Sequence, residues 1–331
     1  MTEGSNKAII IGISGPSSSG KTTLARLLQA VFHDASTSSS SQDQTQNQGE
    51  GKRRKINTFI IHEDDFYYPD NRIPITTLPN GERIQDWDCI DAINVSSLSR
   101  TLAYVKANGR LPNNLRSIQD LNEDTDSGVQ AETVSSLRDG AQKRLSSSTI
   151  ENKIKDGEMT IVFLEGFLLF SPASQGSNCV AGERLKPVHD IIDMHLFLLA
   201  PYTLVKSRRE SRSGYVTSGP APAPPLPQRR LSSVSKEEEN PQPEQQNFWT
   251  DPPGYVDDIV WPRYVRDHSW LLMGGKGEDL SSVTDERELM KLVGEGVNVK
   301  TNVGVRVAPG SGEASMTDLL RWAVGELEAF L

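Results

Sequence analysis

The chain has 331 residues, of which 36% are hydrophobic and 24% are charged, and its formal net charge is −9. This composition is typical of a globular protein, and the acidic balance argues against a protein that coats nucleic acid or an anionic membrane, because either task requires a basic surface. No apolar run reaches the ~20 residues that cross a bilayer. The N-terminal residues lack the basic start of a signal peptide. We therefore expect a cytoplasmic protein with no nucleic-acid or membrane partner.

The chain contains two cysteines, Cys89 and Cys179, which lie far apart and outside any Cys-x-x-Cys spacing. This usage indicates reduced thiols rather than a disulfide framework. The five histidines are not grouped at metal-ligand spacing, so we expect no structural zinc.

Short apolar runs rich in β-branched residues alternate with helical patterns along the chain. Runs of this kind suit strands that are covered on both faces, as in a parallel sheet. The predicted strands are 8–13, 56–61, 160–164, 191–198 and 303–307. The predicted helices are 21–32, 91–108, 202–211, 259–272 and 317–331. The alternation predicts an α/β fold with a doubly wound, mostly parallel, five-stranded sheet and helices on both faces.

Three polar stretches, 35–55, 113–157 and 216–247, are too rich in Ser, Gln or Pro to build a core. We interpret them as disordered insertions into a single domain that spans 1–331. The basic tetrad 52–55 is typical of a solvated loop, with a nuclear-localisation patch as the alternative. The segment 229–232, Arg-Arg-Leu-Ser, resembles a site for a protein kinase acting on the Pro/Ser-rich insertion.

Residues 15–22, Gly-Pro-Ser-Ser-Ser-Gly-Lys-Thr, match the pattern G-x-x-x-x-G-K-[ST] between a predicted strand and a predicted helix. In such a P-loop, successive backbone N–H groups and the helix N-terminus bind phosphates. Lys21 would reach the β and γ phosphates, and the Thr22 hydroxyl would ligate Mg²⁺. The predicted nucleotide-binding residues here are Gly15, Ser17, Ser18, Ser19, Gly20, Lys21, Thr22 and Thr23. The motif alone leaves open whether the nucleotide is a phosphate donor, a fuel or a switch.

Carboxylates follow two of the predicted strands, at the sheet edge where α/β proteins bind ligands. Asp64 and Asp65 come after the second strand, and either one is a candidate base for accepting the proton of an alcohol in phosphoryl transfer. Glu165 ends the third strand, where P-loop proteins carry an acid that holds the Mg²⁺ shell. Acids at strand ends that only solvate a turn are the alternative for each position.

A basic cluster lies on the predicted helix 202–211 and just beyond it, at Lys206, Arg208, Arg209 and Arg212. Arginines on a closing lid neutralise charge that develops on a transferred phosphoryl group. A solvated helical face with i,i+3 and i,i+4 neighbours is the alternative.

Taken together, these segments resemble the nicotinamide riboside kinases, within the wider group of uridine kinase-like and phosphoribulokinase-like P-loop enzymes. The string Glu-Gly-Phe-Leu-Leu-Phe at 165–170 and the block from Pro-Gly-Tyr at 253–255 to Trp-Pro-Arg-Tyr at 261–264 are specific to that family. Further matches are 10–15, 63–67, 86–88 with 92–94, and 201–212. The matches weaken in the C-terminal sixth of the chain.

The resemblance implies a P-loop kinase with a lid, which transfers the γ-phosphate of ATP to the 5′-hydroxyl of nicotinamide riboside for NAD synthesis, with nicotinic acid riboside as a further acceptor. It implies Asp64 as the general base and, with Thr22 and Glu165, as a Mg²⁺ ligand. Lys21, Glu165 and Arg208 complete the implied catalytic set, while Arg208 and Arg212 contact ATP. The implied acceptor-binding residues are Asp64, Asp65, Phe66, Tyr67, Trp87, Asp88, Arg209 and Tyr215.

The charge of the acceptor supports this assignment independently, because a pyridinium ring gains from aromatic faces and acidic neighbours by ~1 to 2 kcal/mol when desolvated. The chain departs from the family in two ways: Trp87 stands where a smaller aromatic is usual, and an extra residue near Gly214 leaves the position of Tyr215 open. A uridine or cytidine kinase with the same machinery is the first alternative. A nucleotide-dependent switch or scaffold, which binds nucleotide without acceptor turnover, is the second.

Overall fold

The structure is a computed structural model that describes residues 7–33, 55–113, 115–119, 126–145, 158–172, 180–220, 247–294, 297–301 and 303–331. Most of the predicted insertions 35–55 and 216–247, the segment 229–232 and Cys179 lie outside the described residues. Within the described part of the chain, no helix is both long and apolar enough to span a bilayer.

Strands and helices alternate along the chain. In order they are β1 (Ala8–Ser14), α1 (Lys21–Phe32), β2 (Lys55–His62), β3 (Ile75–Thr77), β4 (Arg83–Gln85), α2 (Val95–Asn108), α3 (Ala131–Leu145), β5 (Glu158–Gly166), α4 (Val180–His189), β6 (Met194–Phe197), α5 (Tyr202–Glu210), β7 (Tyr215–Thr217), β8 (Asn247–Trp249), α6 (Trp261–His268), β9 (Leu272–Gly274), α7 (Glu286–Gly294), β10 (Val297–Val299), β11 (Val305–Val307) and α8 (Met316–Phe330).

The centre of the molecule is a five-stranded sheet in the order β11-β6-β1-β5-β2, in which every neighbouring pair is parallel. Its strands are the five that the sequence predicts, and the α/β fold class is confirmed. β1 lies in the middle, paired with β5 on one side and β6 on the other. This order brings the carboxyl ends of β1, β2 and β5 to one edge, where the P-loop and the two acidic segments meet.

Successive residues of the central strands pack on opposite faces of the sheet. Ile10 and Val162 belong to one core cluster, whereas Ile11 and Phe163 belong to the other. The first cluster is covered by α2, α4 and α6, and the second by α1, α3 and α8. Because both faces are buried, the strands are almost wholly apolar, which explains the continuous hydrophobic runs in the sequence.

Helix α3 lies inside the stretch 113–157, which the sequence predicts to be a disordered insertion. Its apolar residues Val134, Leu137, Ala141 and Leu145 recur at helical spacing, and Ala141 and Leu145 are buried against the face that α1 and α8 cover. For residues 131–145 the prediction of disorder is therefore wrong. The many Ser, Gln and charged residues on the exposed side of the helix concealed a narrow apolar stripe.

Several predicted boundaries also differ from the structure: the predicted helix 91–108 begins only at Val95, and the predicted strand 303–307 begins at Val305. The predicted strand 191–198 begins only at Met194, because Asp193 turns the chain and accepts a hydrogen bond from the Ile10 backbone N–H at 2.9 Å. The predicted helix 259–272 is instead a π-helical turn, Val256–Val260, followed by α6, and β9 starts at Leu272. β9 pairs with β10 in a small antiparallel ribbon beside α7, a unit that the sequence pattern did not predict.

A second antiparallel hairpin, formed by β7 and β8, covers the edge of the sheet where the P-loop lies. Asp70 holds this hairpin by accepting hydrogen bonds from the Thr217 hydroxyl at 2.8 Å and the Gly219 N–H at 3.0 Å. The hairpin therefore occupies the place of a lid over the carboxyl ends of the central strands.

Candidate active site

The P-loop connects β1 to α1 through backbone conformations that favour glycine. Gly15 and Gly20 have φ values of 149° and 95°, and Ser18 also has a positive φ of 59°. A Cβ on Gly15 would collide with the Leu198 carbonyl oxygen. The two glycines are thus required by geometry, and the loop folds back tightly enough to present its N–H groups to an anion.

The loop offers hydrogen-bond donors that no protein group uses. Across the described residues, the hydroxyls of Ser18 and Ser19 are buried and lack a hydrogen-bond partner. The first turn of α1 contains no acidic residue and has no side-chain cap. The spare hydroxyls and the positive end of the helix dipole are both features that favour an anion at this loop.

Lys21 supplies the positive charge of the loop. Its Nζ donates to the Pro16 carbonyl oxygen at 2.8 Å, and the side chain lines a cavity above the sheet edge. Burial lowers the pKa of Lys21, and the negative charges of Glu165 and Asp64 partly oppose that shift. The ammonium is therefore held close to two carboxylates, where it would bridge them to a phosphate.

The side chain of Glu165, near the end of β5, forms hydrogen bonds with one residue of α1 and one residue of β2. Its Oε1 accepts hydrogen bonds from the Thr22 hydroxyl at 3.0 Å and from His62 Nδ1 at 2.6 Å. Burial would raise the pKa of Glu165, but the hydrogen bond and charge of His62 outweigh it, so that the pKa is lowered. Burial alone would lower the pKa of His62, but the hydrogen bond and the charge of Glu165 outweigh it, so that the pKa of His62 is raised.

The donor set around Thr22 fits Mg²⁺. Asp64, Glu165 and Thr22 line the cavity and carry hard oxygen atoms, the kind of donor that Mg²⁺ prefers. Among the described residues, no group of three or more His, Cys, Asp and Glu side chains could hold a metal ion by itself. Mg²⁺ in proteins takes one or two carboxylates together with phosphates and water rather than a complete protein cage.

Three consecutive acids after β2 have three different environments. Asp64 lines the cavity, and burial together with the charge of Glu165 raises its pKa to about 6. Asp65 is not among the lining residues and accepts a hydrogen bond from the Ile118 N–H at 2.9 Å. Glu63 is fully buried, and burial raises its pKa to about 8. Of the two aspartates that the sequence left open as base, Asp64 is the one at the cavity.

Glu63 was missed by the sequence reasoning. Its Oε2 accepts a hydrogen bond from the Leu168 N–H at 3.0 Å, and its side chain fills the space where a Cβ on Gly166 would stand. The glycine of the Glu-Gly-Phe string is therefore needed for close packing with Glu63, and this contact fixes the turn that follows Glu165.

On the opposite wall, Arg209 is the centre of a buried ion-pair network. Its guanidinium makes two hydrogen bonds to Asp88, both 2.9 Å long, and a further bond to Asp251 at 2.6 Å. It also donates to the Ser17 hydroxyl at 3.0 Å. The side chains of Arg209 and Asp88 are only 6% and 8% exposed. The arginine predicted to face the acceptor thus ties the P-loop to the aspartate predicted to bind ribose.

Aromatic rings form the remaining wall. The Tyr67 ring meets Trp87 edge-on, with ring centroids 5.3 Å apart. The Trp87 ring also contacts Trp249, with ring centroids 5.8 Å apart. The backbone N–H of Trp87 donates to the Tyr255 hydroxyl at 2.9 Å. Tyr215, whose position the sequence left open, lies in the cavity with the Arg209 guanidinium 5.3 Å from its ring centroid.

The cavity brings together most of the predicted site residues. Those that line it are Ser17, Ser18, Gly20, Lys21, Thr22, Thr23, Asp64, Tyr67, Trp87, Asp88, Glu165, Arg209, Arg212 and Tyr215. Those that do not are Gly15, Ser19, Asp65, Phe66 and Arg208. Phe66 is buried in the core behind the site, and Arg208 lies on the exposed side of α5, where it donates to the Ser18 carbonyl oxygen at 3.3 Å.

Further residues at the site were not assigned a role there from the sequence. Ile118, Gln119, Phe167 and Trp249 line the cavity, and His62, Glu63, Asp86 and Asp251 position the residues that do. Asp86, for example, is buried beside Trp87 and accepts hydrogen bonds from Arg263 of α6 at 2.9 and 3.1 Å. These partners come from segments that are distant in sequence, so that only the fold could reveal them.

Comparison with curated proteins shows which enzymes this chain is similar to in sequence. The chain is 27% identical over 322 residues to the nicotinamide riboside kinase of Schizosaccharomyces pombe, covering 97% of this chain and 96% of the relative. The chain is homologous to the nicotinamide riboside kinases. It is 26% identical to that of Saccharomyces cerevisiae, over 88% of this chain and 90% of the relative. Human nicotinamide riboside kinase 1 is 24% identical, over 82% and 87% of the two chains.

No protein-family model matches the chain. The similarity to the nicotinamide riboside kinases nevertheless extends through the C-terminal part, where the sequence motifs weaken, since the alignment with the S. pombe protein covers nearly the whole chain. The resemblance inferred from the motifs is thereby confirmed.

Proposed function

We propose that this protein is a small-molecule kinase that transfers the γ-phosphate of ATP to the 5′-hydroxyl of nicotinamide riboside, giving nicotinamide mononucleotide and ADP for NAD synthesis. The observation that carries the proposal is a single cavity that joins a P-loop to an acidic and aromatic wall, in a chain whose homologues over nearly its whole length are nicotinamide riboside kinases.

The two ends of the cavity suit the two substrates. The P-loop end has spare donors, the Lys21 ammonium and the Arg212 guanidinium, which complement a triphosphate. The other end has aromatic rings next to Asp88, which complement a ribose that carries a flat cationic base. A pyridinium nucleoside fits this end better than an uncharged one.

Asp64 stands between the two ends and is the proposed general base. Its carboxylate would accept the proton of the ribose hydroxyl as that oxygen forms its bond to the γ-phosphorus and the bond from the γ-phosphorus to the ADP oxygen breaks. A base with a pKa near 6 is ionised at neutral pH, as this role requires.

Thr22, Asp64 and Glu165 would hold Mg²⁺, which when bound neutralises charge on the β and γ phosphates. His62 and the Thr22 hydroxyl keep the Glu165 carboxylate oriented for this task. Lys21 and Arg212 would offset the charge that spreads over the transferred group, and Arg208, exposed at the rim beside Ser18, would reach ATP as the lid closes.

The test is ADP release by the purified protein with MgATP and, in parallel, nicotinamide riboside, nicotinic acid riboside, uridine, cytidine or no acceptor. We expect turnover with the pyridine ribosides to exceed turnover with the pyrimidine nucleosides. Turnover with uridine or cytidine alone would assign the chain to the pyrimidine nucleoside kinases. ATP binding without acceptor-dependent turnover would identify it as a switch or scaffold.

A further inference from the structure

Trp249 lies in the acceptor half of the cavity, although no motif in the sequence points to it. It is the last residue of β8 and stands directly opposite Tyr215 of β7 in the hairpin. Residues paired in this way have their side chains on the same face of a hairpin. Tyr215 and Trp249 both line the cavity, whereas Phe248, the preceding residue on β8, is 54% exposed.

The ring of Trp249 extends an aromatic wall. Its centroid lies 5.8 Å from that of Trp87, with the rings inclined by 48°, and 5.8 Å from that of Tyr255, which it meets edge-on. Trp87 in turn contacts Tyr67. The indole therefore joins the lid hairpin to rings that belong to the body of the domain, and it completes the wall when the hairpin is in place.

The indole N–H of Trp249 forms a hydrogen bond within the protein. Its Nε1–H donates to Asp251 Oδ1 at 2.9 Å, and the same carboxylate holds Arg209. This bond fixes the orientation of the indole plane. Because the N–H is already engaged, what Trp249 offers to a ligand is the apolar, electron-rich surface of its ring.

The charges around this wall are mixed. Asp88 and Asp251 place two carboxylates beside the buried guanidinium of Arg209, and Asp64 faces the same cavity. Arg212 also lines the cavity, with its guanidinium 5.4 Å from the Tyr215 ring centroid, so that the positive charges lie on the Tyr215 side. A base with a delocalised positive charge gains both from the carboxylates and from the faces of the rings, whereas a neutral pyrimidine gains from stacking alone.

We propose that Trp249 is a specificity-determining residue, which selects an acceptor with a cationic aromatic base over one with a neutral base. This inference rests on the proposed function, because it deepens the description of the acceptor site. It makes a residue of the lid hairpin, rather than of the central domain alone, responsible for the choice of acceptor.

The test compares Trp249→Ala, Trp249→Phe and the matched control Phe248→Ala on the neighbouring, outward-facing position. The measured quantities are the KM for nicotinamide riboside, the inhibition constant of uridine against it, the KM for ATP and kcat. We expect Trp249→Ala to raise the KM for nicotinamide riboside about tenfold and the inhibition constant of uridine about twofold, since only the first ligand loses a cation–π contact. The KM for ATP and kcat should change by less than about twofold.

Trp249→Phe keeps a ring but loses the bond to Asp251. We expect it to restore most of the preference for the cationic acceptor, and Phe248→Ala to behave like the wild type. Equal losses for both ligands in Trp249→Ala, or an unchanged KM, would overturn the proposal and leave Trp249 as a packing residue. A wild-type enzyme that phosphorylates uridine but not nicotinamide riboside would instead overturn the proposed function, and the inference with it.

Discussion

The two ends of the cavity are built in different ways. At the phosphate end, the binding groups other than Arg212 come from one contiguous stretch, residues 15–23. At the acceptor end, Asp88, Arg209 and Asp251 are brought together from segments 121 and 42 residues apart in sequence, and side chains make the contacts. The phosphate end depends on a local conformation, whereas the acceptor end depends on the closure of a lid over a folded domain.

The largest expected effect lies where the two ends meet, at Asp64. Asp64→Asn keeps the size of the side chain but removes the base, so that kcat should fall by at least ~100-fold. The matched control is Asp65→Asn, because Asp65 accepts a backbone hydrogen bond outside the cavity lining. Steady-state kinetics with nicotinamide riboside and MgATP would measure both variants. A dead Asp65 variant beside an active Asp64 variant would move the base by one residue.

At the phosphate end, Lys21→Ala removes the ammonium that faces Glu165 and Asp64. We expect kcat to fall by about 100-fold or more, because a charge-stabilising group is lost from the site of phosphoryl transfer. The KM for nicotinamide riboside should change little, since the acceptor wall is unaffected. Lys206→Ala is the control, as this lysine pairs with Asp257 and does not line the cavity. A rise in the KM for the acceptor that matched the loss in kcat would contradict the division of the cavity into two ends.

At the acceptor end, Arg209→Met should cost stability as well as activity. It leaves Asp88 and Asp251 without their guanidinium, and removing one member of a buried ion pair costs about 3 to 5 kcal/mol of unfolding free energy. Arg208→Met, the next position along α5, is the exposed control and should leave stability unchanged. Urea unfolding of both variants would measure the difference.

The stability loss of Arg209→Met should depend on pH with a defined sign. Burial raises the pKa of Asp88, and Arg209 opposes that rise. Without the arginine, the folded-state pKa increases further above its value in the unfolded chain, so that the folded state binds the proton more readily. Such a group stabilises the folded state at low pH and loses this contribution as pH rises. The loss of unfolding free energy in Arg209→Met, relative to the wild type, should therefore be greater at pH 8 than at pH 5. The reverse order would contradict the buried pairing of Asp88 with Arg209.

The smallest effect is expected for the segment between the hairpin strands. Thr217 pairs with Asn247, and Gly219 bonds to Asp70, so that deletion of 221–246 leaves a three-residue connection of a kind common in hairpins. We expect kcat and KM to stay within a few-fold of the wild type. A loss of a hundredfold would show that the deleted residues are part of the working lid.

The phosphate end of the cavity could be predicted from the sequence more completely than the acceptor end. The P-loop, Asp64 and Glu165 could be located because their positions are set by strand ends and local spacing. Arg209 and Asp88 could be named from the resemblance, but not their bidentate contact, since nothing in sequence spacing shows which acid an arginine will reach. Glu63, Trp249 and α3 were missed because a buried acid, a lone indole after a Pro-rich stretch and a narrow apolar stripe leave no distinctive pattern.

The close packing of Glu63 against Gly166 limits sequence change at position 166 more than at position 63. A Cβ at position 166 would collide with the Glu63 carboxyl group and also with the Glu63 Cβ, which every residue except glycine carries. A shorter side chain at 63 therefore does not make room for an alanine at 166. Among homologues we expect glycine at 166 to persist even where the residue at 63 changes.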